Sequence, residues 1–163
     1  LFLDSQTKVY NRRYYDEYLK AVNREQAVVV IDVDNLKYIN DHYGHQAGDM
    51  ALLDVTEILS RFISEKDYIV RYGGDEFVLV FHDVQNLKEI LEKIRTEINR
   101  QTSDVQPGIR LSVSIGGIIG TGTVDSLFSV ADTVMYQAKR TKNKAIVYRL
   151  DEWKDQSGAG EEK

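Results

Sequence analysis

The stretch DYIVRYGGDEFVLVF, residues 67–81, decides the fold of this chain. Its two apolar runs, residues 68–72 and 77–81, are rich in valine, isoleucine and aromatic side chains, which favour β-strands. The tetrapeptide Gly-Gly-Asp-Glu, residues 73–76, separates them, and a pair of glycines tolerates positive φ and permits a tight reversal. The pattern predicts a β-hairpin with two adjacent carboxylates at its tip, although an ordinary solvated turn gives the same local pattern.

Hydrophobic periodicity around this stretch separates helices from strands. Apolar residues recur at helical spacing in some segments, and run continuously or alternate in others, as strands do. The predicted helices lie at residues 10–23, 35–43, 47–63, 87–98 and 127–138, and the predicted strands outside the hairpin at 27–33, 111–119 and 145–148, with a turn at 120–122. A hairpin within this alternation favours an α+β fold, with a mostly antiparallel central sheet and helices on both faces.

The length and composition limit the possible classes of protein. At 163 residues the chain can bury a core as one domain; we expect this domain at residues 1–150 and a polar, disordered tail at 151–163. The absence of cysteine excludes a disulfide scaffold, cysteine-bound zinc and a thiol nucleophile. A net charge of −5 argues against binding of a nucleic-acid polymer or direct contact with an anionic membrane. The sequence begins without methionine, so we expect a domain of a longer protein.

A second pair of carboxylates, Asp32 and Asp34, ends the predicted strand at residues 27–33. Asp34 is well placed to cap the helix that follows, which explains it more simply than a metal does. Asp32 has no such role, and a carboxylate at the end of an apolar strand is costly unless it is solvated or bound to a cation. If this strand lies beside the hairpin, Asp32, Asp75 and Glu76 form an oxygen cluster of the kind that suits Mg²⁺ and substrate phosphates.

Several motifs, in this order along the chain, resemble the GGDEF or diguanylate cyclase family. Residues 71–77, RYGGDEF, resemble its signature; residues 4–13, 32–49 and 131–139 resemble its opening segment, nucleotide-binding stretch and closing helix. The resemblance implies a palm-like (ferredoxin-like) sheet and the condensation of two GTP into cyclic di-GMP with release of two pyrophosphates. It also implies a homodimer, two Mg²⁺ ions for which Mn²⁺ can substitute, and a cytoplasmic domain that follows a sensory domain in a parent protein, which can be membrane-anchored.

The resemblance also assigns the metal and proton-transfer roles. Asp32, Asp75 and Glu76 would hold the metal ions together with the carbonyl group of Val33. Either Asp75 or Glu76 would lie near the 3′-hydroxyl that loses a proton, and the sequence does not settle which is the base.

Guanine recognition falls to Asn40 and Asp49 through the same resemblance. A carboxylate can accept both N–H donors of guanine, and an asparagine amide can serve the O6 and N7 acceptors. Adenine lacks the N1 hydrogen and would leave the carboxylate unsatisfied. Considered alone, Asn40 is a residue near a helix end, and Asp49 an acid that favours the dipole at a helix start.

Phosphate binding is expected at the amides of Asn35, Leu36 and Lys37, because they start a helix and helix N-termini bind anions. The resemblance adds the side chains of Lys37, Lys139 and Lys142 as phosphate contacts, and Gly73 and Gly74 as substrate-binding residues. Residues 140–143 are one residue shorter than the family pattern, which puts the role of Lys142 in question. The family's allosteric motif, Arg-x-x-Asp, corresponds to Ser64 through Asp67; because serine replaces the arginine, we expect weak inhibition by the product.

Two other functions stay open at this stage. One is a non-catalytic GGDEF-like module that binds GTP or cyclic di-GMP or docks a partner, although such a module does not need the complete metal set. The other is an enzyme that makes a mixed GMP–AMP cyclic dinucleotide. In that subgroup the position of Asp49 is typically altered, whereas here it is aspartate.

Overall fold

The computed structural model describes residues 1–101, 108 and 110–161, with the side chains of residues 157–161 excepted. The strands of the central sheet are β1 (Asn23–Val33), β2 (Tyr68–Arg71), β3 (Glu76–Phe81), β4 (Val113–Thr123) and β5 (Lys144–Arg149). The helices are α1 (Arg12–Tyr14), continued by a π-helical segment (Tyr15–Leu19), α2 (Leu36–Tyr43), α3 (His45–Ser60), α4 (Leu87–Arg100), α5 (Val124–Lys139) and α6 (Leu150–Glu161). No helix in these ranges is long and apolar enough to cross a membrane.

The sheet has the strand order β2-β3-β1-β4-β5. The first three neighbouring pairs are antiparallel, and β5 alone runs parallel to its neighbour β4. This arrangement confirms the predicted α+β fold with a mostly antiparallel sheet. It also makes β1 the central strand, next to both the hairpin and β4, so the residues at its end lie where several elements meet.

Side chains of β1 alternate between two cores, one on each face of the sheet. Val29 and Ile31 pack with α3 and α4, whereas Val28 and Val30 pack with α5 and the π-helical segment. All four are completely buried. The continuous apolar sequence of this strand therefore reflects burial on both faces, as expected for a central strand.

The hairpin forms as predicted, but its glycines do not act as predicted. Among the described residues, the glycines with positive φ are Gly44 and Gly108, so neither Gly73 nor Gly74 uses left-handed backbone to turn the chain. A Cβ atom placed on Gly74 would meet no described atom within 4 Å. The missing side chain therefore leaves open space beside the hairpin tip.

Two expectations for the second half of the chain were wrong. The turn expected at residues 120–122 is part of β4, because β4 pairs with the whole of β1, up to Asn23 opposite Thr123. The tail expected to be disordered from Asp151 onward instead begins with helix α6. The Trp153 ring lies 5.4 Å from that of Tyr148, so aromatic packing fixes the start of this helix. The domain boundary at residue 150 stays a prediction.

Candidate active site

The acidic ends of β1 and of the hairpin lie side by side. Asp32 and Glu76 are directly opposite each other in the β1–β3 pairing, and the amide of Val33 donates to the carbonyl of Asp75 across 2.9 Å. Residues that are opposite in a strand pair share one face of the sheet. The structure therefore brings together the three acidic residues that were predicted to cluster if β1 lay beside the hairpin.

Asp32 is a buried carboxylate with one oxygen atom available. Its side chain forms an ion pair through Oδ2 with Lys139 of α5, whereas Oδ1 has no hydrogen-bond partner among the described residues. The pKa of Asp32 is raised to about 6, mainly by burial; the hydrogen bond from Lys139 opposes the rise and the Asp75 carboxylate adds to it. Burial lowers the pKa of Lys139, but the hydrogen bond to Asp32 outweighs burial. The pKa of Lys139 therefore lies above its ordinary value. A buried acceptor without a donor is costly, and a cation would satisfy it.

Glu76 lies in a strongly acidic environment. The pKa of Glu76 is raised to about 7, first by burial and then by the carboxylates of Asp132, Asp32 and Asp75, with Arg12 opposing the rise. Asp132 belongs to α5 and was not among the predicted site residues. Glu76 is therefore a carboxyl group that can take up or release a proton near neutral pH.

The donors at this site suit a metal ion that is only partly held by protein. In the part of the chain that the structure describes, no three or more histidine, cysteine, aspartate or glutamate side chains form a group that could hold a metal ion. The Asp75 carboxylate is near enough to Asp32 to disfavour ionisation of Asp32. Mg²⁺ is commonly bound by one or two carboxylates plus substrate phosphates. The carboxylates of Asp32, through its Oδ1, and of Asp75 fit that coordination.

Asp34 has a structural role, and its predicted role as a helix cap was wrong. The carboxylate accepts hydrogen bonds from the hydroxyls of Ser112 and Ser114, both at 2.7 Å, and from the amide of Asn143 at 2.9 Å. The cap position of α2 is occupied by Asn35 in left-handed conformation, with a φ of 59°. Asp34, which is only 2% exposed, therefore joins the end of β1 to the segment after α5.

The segment after α5 carries a lysine to the start of α2. The ammonium group of Lys142 donates to Oδ1 of Asn35 across 2.6 Å. This places a cation beside the helix start whose amides were predicted to bind phosphate, in spite of the short connection at residues 140–143. Lys37 lies on an exposed face of the same helix, where it pairs with Asp41 at 2.9 Å.

A cleft of about 520 Å³ links the hairpin tip to α2 and α3. Of the predicted site residues it is lined by Leu36, Lys37, Asn40, Asp49, Gly74 and Asp75. It is also lined by Asp41, His45, Leu52 and Arg71, which had not been assigned to the site. The residues predicted to read guanine thus share one cavity with an acid of the hairpin tip.

Arg71 is the principal residue that the sequence reasoning missed. Its guanidinium donates through Nη1 to Asp4 Oδ2 at 3.1 Å and to Gln6 Oε1 at 2.7 Å, and through Nη2 to the carbonyl of Gly74 at 2.7 Å. Gln6, in the opening segment, is thus one of the partners of this guanidinium. Arg71 stands inside the quoted signature, yet its partners are distant in sequence, so only the position and not the role could have been recognised.

The segment that corresponds to the allosteric motif is closed by local hydrogen bonds. Asp67 Oδ2 accepts from the amide and hydroxyl of Ser64, at 2.9 and 2.8 Å, and Oδ1 accepts from the amide of His82 at 2.9 Å. Both oxygen atoms of this carboxylate are thus already in use within the chain.

Comparison with known sequences agrees with these motifs. The family model "Diguanylate cyclase, GGDEF domain" matches residues 1–145. The diguanylate cyclase DosC of Escherichia coli (strain K12) is 34% identical over 165 residues, which cover 93% of this chain and 35% of DosC. The diguanylate cyclase DgcS of Shewanella oneidensis is 35% identical over 144 residues, which cover 83% of this chain and 49% of DgcS. The chain thus spans less than half the length of these curated relatives.

Solved structures show the same architecture. The GGDEF domain of DgcB from Caulobacter crescentus, crystallised in complex with c-di-GMP, has a TM-score of 0.80 at 25% identity, covering 90% of this chain and 92% of that one. The diguanylate cyclase SiaD of Pseudomonas aeruginosa, in complex with its activator SiaC, has a TM-score of 0.80 at 26% identity, covering 90% of this chain and 62% of that one. Both structural alignments cover most of this chain.

Proposed function

This chain belongs to the GGDEF domain family of diguanylate cyclases, and from that premise we propose that it condenses two molecules of GTP into cyclic di-GMP. The observation that carries the proposal is the cleft that Asn40 and Asp49 share with Asp75. A base held at one end of this cleft would have its ribose and phosphates directed toward the acidic hairpin tip. The names of the relatives DosC and DgcS support the same activity.

Recognition of GTP is divided between the two ends of the cleft. We assign the base edge to Asp49 and Asn40, because a carboxylate can accept from the N–H donors of guanine and an amide can serve O6 and N7. We assign the phosphates to the start of α2, where backbone amides and the ammonium of Lys142 lie together. The open space beside Gly74 allows the substrate to approach the backbone of the hairpin.

The metal site would be formed by Asp32 and Asp75, with the backbone of Val33 and the side chain of Glu76 beside them. Bound Mg²⁺ would activate the attacking hydroxyl and stabilise the negative charge of the leaving pyrophosphate. Within the chain, Lys139 neutralises Asp32 while that carboxylate has no other cation. Lys139 is therefore free to contact a phosphate once Asp32 is engaged by a metal ion.

The reaction joins two nucleotides by two equivalent displacements. In each, the 3′-oxygen of one GTP forms a bond to the α-phosphorus of the other, the bond to pyrophosphate breaks, and the hydroxyl proton passes to a base. We assign this base to one of the two adjacent carboxylates at the hairpin tip, Asp75 or Glu76. The cleft at Asn40 and Asp49 offers one set of guanine-binding residues, so we propose that two copies of the chain face each other to bring two GTP together.

Incubation of the protein with GTP and Mg²⁺, followed by chromatographic separation of the products, tests this proposal. We expect cyclic di-GMP and pyrophosphate, formed at a rate that rises more than linearly with protein concentration. Mn²⁺ should replace Mg²⁺, and chelation should stop the reaction. Binding of GTP without any product would instead identify a non-catalytic GGDEF-like module, and a mixed GMP–AMP product from GTP plus ATP would identify the other alternative.

A further inference from the structure

Gly48 of helix α3 lies directly against the side chain of Asn40 in helix α2. A Cβ atom at position 48 would stand 1.7 Å from Oδ1 and 2.7 Å from Cγ of Asn40. Both distances are far below any contact between non-bonded atoms, so no residue other than glycine is compatible with this position of the Asn40 amide. Gly48 is buried, and the next residue in the chain is Asp49, the other residue assigned to the base.

The glycine is not required by the backbone. The φ angle of Gly48 lies outside the left-handed region, and its amide donates to the carbonyl of Gly44 across 3.3 Å, as in the first turn of an ordinary helix. Glycine is among the least favourable residues within a helix, because it has the most conformational freedom to lose. The close approach of Asn40 is thus the feature that explains a glycine at this position.

We infer that Gly48 is a positioning residue that holds the carboxamide of Asn40 in the cleft, so that selection of guanine depends on the absence of a side chain at position 48. This inference rests on the proposed function, which assigns guanine recognition to Asn40. Gly48 itself contacts Asn40 and acts on the substrate only through it.

A methyl group at position 48 would displace the amide without displacing the helix. The backbone of Asn40 is held by a hydrogen bond from the amide of Gly44 to its carbonyl, at 2.9 Å. Rotating the amide by half a turn exchanges its oxygen and nitrogen but leaves an atom in the occupied position. The side chain must therefore adopt another χ1 rotamer, and a helix offers few of these. We expect Gly48→Ala to fold, with Asn40 turned away from its present position.

Four proteins test the inference: the wild type, Gly48→Ala, Asn40→Ala and the double variant. Calorimetry measures their affinity for GTP and ATP analogues that carry a methylene group between the α- and β-phosphorus and cannot react. Gly48→Ala should weaken binding of the GTP analogue by about five- to hundredfold, the range for loss of a paired base contact, and leave the ATP analogue unaffected. In the Asn40→Ala background, Gly48→Ala should cause no further loss.

The melting temperature gives a second readout that does not involve nucleotide. The three atoms nearest to a methyl group at position 48 all belong to the Asn40 amide. Without that amide, the double variant should melt about 2–4 °C higher than Asn40→Ala, as expected for alanine in place of helical glycine. In the presence of Asn40 the gain should be smaller, because the displaced side chain must take a less favourable rotamer.

The outcomes separate this inference from the proposed function. If Asn40→Ala leaves the affinity for the GTP analogue unchanged, the assignment of base recognition to Asn40 is wrong. If Asn40→Ala weakens binding but Gly48→Ala does not, the positioning role of Gly48 is wrong. The role is also wrong if Gly48→Ala weakens binding equally with and without the Asn40 side chain.

Discussion

Arg71 Nη1 lies 3.1 Å from Asp4 Oδ2, which joins two residues that are 67 positions apart in the chain. The two side chains are only 13% and 23% exposed, so the ion pair is largely shielded from water. The same guanidinium binds the carbonyl of Gly74, and thus the opening segment is linked to the hairpin tip through one side chain. This contact predicts that the first residues of the domain influence the geometry of the candidate active site.

Arg71→Ala should lower the free energy of unfolding by about 1–3 kcal/mol, the range for removing hydrogen bonds to a charged group and leaving its partners unsatisfied. Urea denaturation measures the change. Arg61→Ala is the matched control, because its ion pairs with Glu57 and Glu97 are solvent-exposed and their loss should cost at most about 1 kcal/mol. Equal losses for the two variants would contradict a special role for Arg71.

Asp4 should contribute a pH-dependent part of the stability. Burial raises the pKa of Asp4, but the hydrogen bonds from Thr7 and Arg71 outweigh burial and hold it below the ordinary value of 3.8. A lowered folded-state pKa stabilises the protein above the unfolded pKa, and this contribution is lost as pH falls through the folded value. The stability difference between wild type and Asp4→Asn, measured with urea, should be constant near neutrality and shrink below pH 3.8. If the stability difference between wild type and Asp4→Asn grew on acidification, the pKa of Asp4 would be raised by folding and not lowered.

Asp75→Asn should abolish turnover while leaving the fold intact. The substitution removes one of the two carboxylates proposed for the metal site. When residues act as a unit, loss of one of them removes most of the rate enhancement that the unit provides. Product formation from GTP and the circular dichroism spectrum are the two measurements. Asp155→Asn, on the exposed face of α6, is the control and should retain full activity. Near-normal turnover by a folded Asp75→Asn protein would mean that the metal site lies elsewhere.

Asp49→Ser should relax the preference for GTP over ATP. The lost carboxylate is assigned to the N–H donors of guanine, a contact worth about 1–3 kcal/mol of discrimination. The ratio of kcat/KM for consumption of the two nucleotides measures the effect. Glu57→Ser, on the exposed side of the same helix, should leave the ratio unchanged. An unaltered ratio in Asp49→Ser would remove this residue from the base pocket.

Cyclic di-GMP should inhibit the protein only weakly through the segment at residues 64–67. Serine replaces the arginine of the family motif, and a hydroxyl cannot supply the paired donors of a guanidinium. The remaining carboxylate, Asp67, already accepts from Ser64 and His82. Calorimetry measures the affinity for cyclic di-GMP, and the rate of product formation at increasing cyclic di-GMP measures the inhibition. Tight binding that persists in Asp75→Asn and disappears in Asp67→Ala would show a working allosteric site.

Local patterns in the sequence determined the elements of the fold. The strand at residues 27–33, the hairpin and the long helices follow from the spacing of apolar residues, since each residue's preference there depends on near neighbours. The acidic cluster could also be anticipated, because Asp32 ends one strand and Asp75 and Glu76 stand at the tip of the hairpin. The family motifs also singled out Asn40 and Asp49, which line one cleft in the structure.

The partners of individual polar side chains were decided only by the tertiary structure. Asp34 has the sequence context of a helix cap, but it binds Ser112, Ser114 and the amide of Asn143, which come from β4 and its approach and from the segment after α5. Arg71 and Asp4 lie far apart in the chain and meet only in the folded domain. The contact between Gly48 and Asn40 likewise exists only because α3 packs on α2. Hydrogen bonds and close contacts depend on positions in space to within a fraction of an ångström, and such positions are set by the packing of the whole domain.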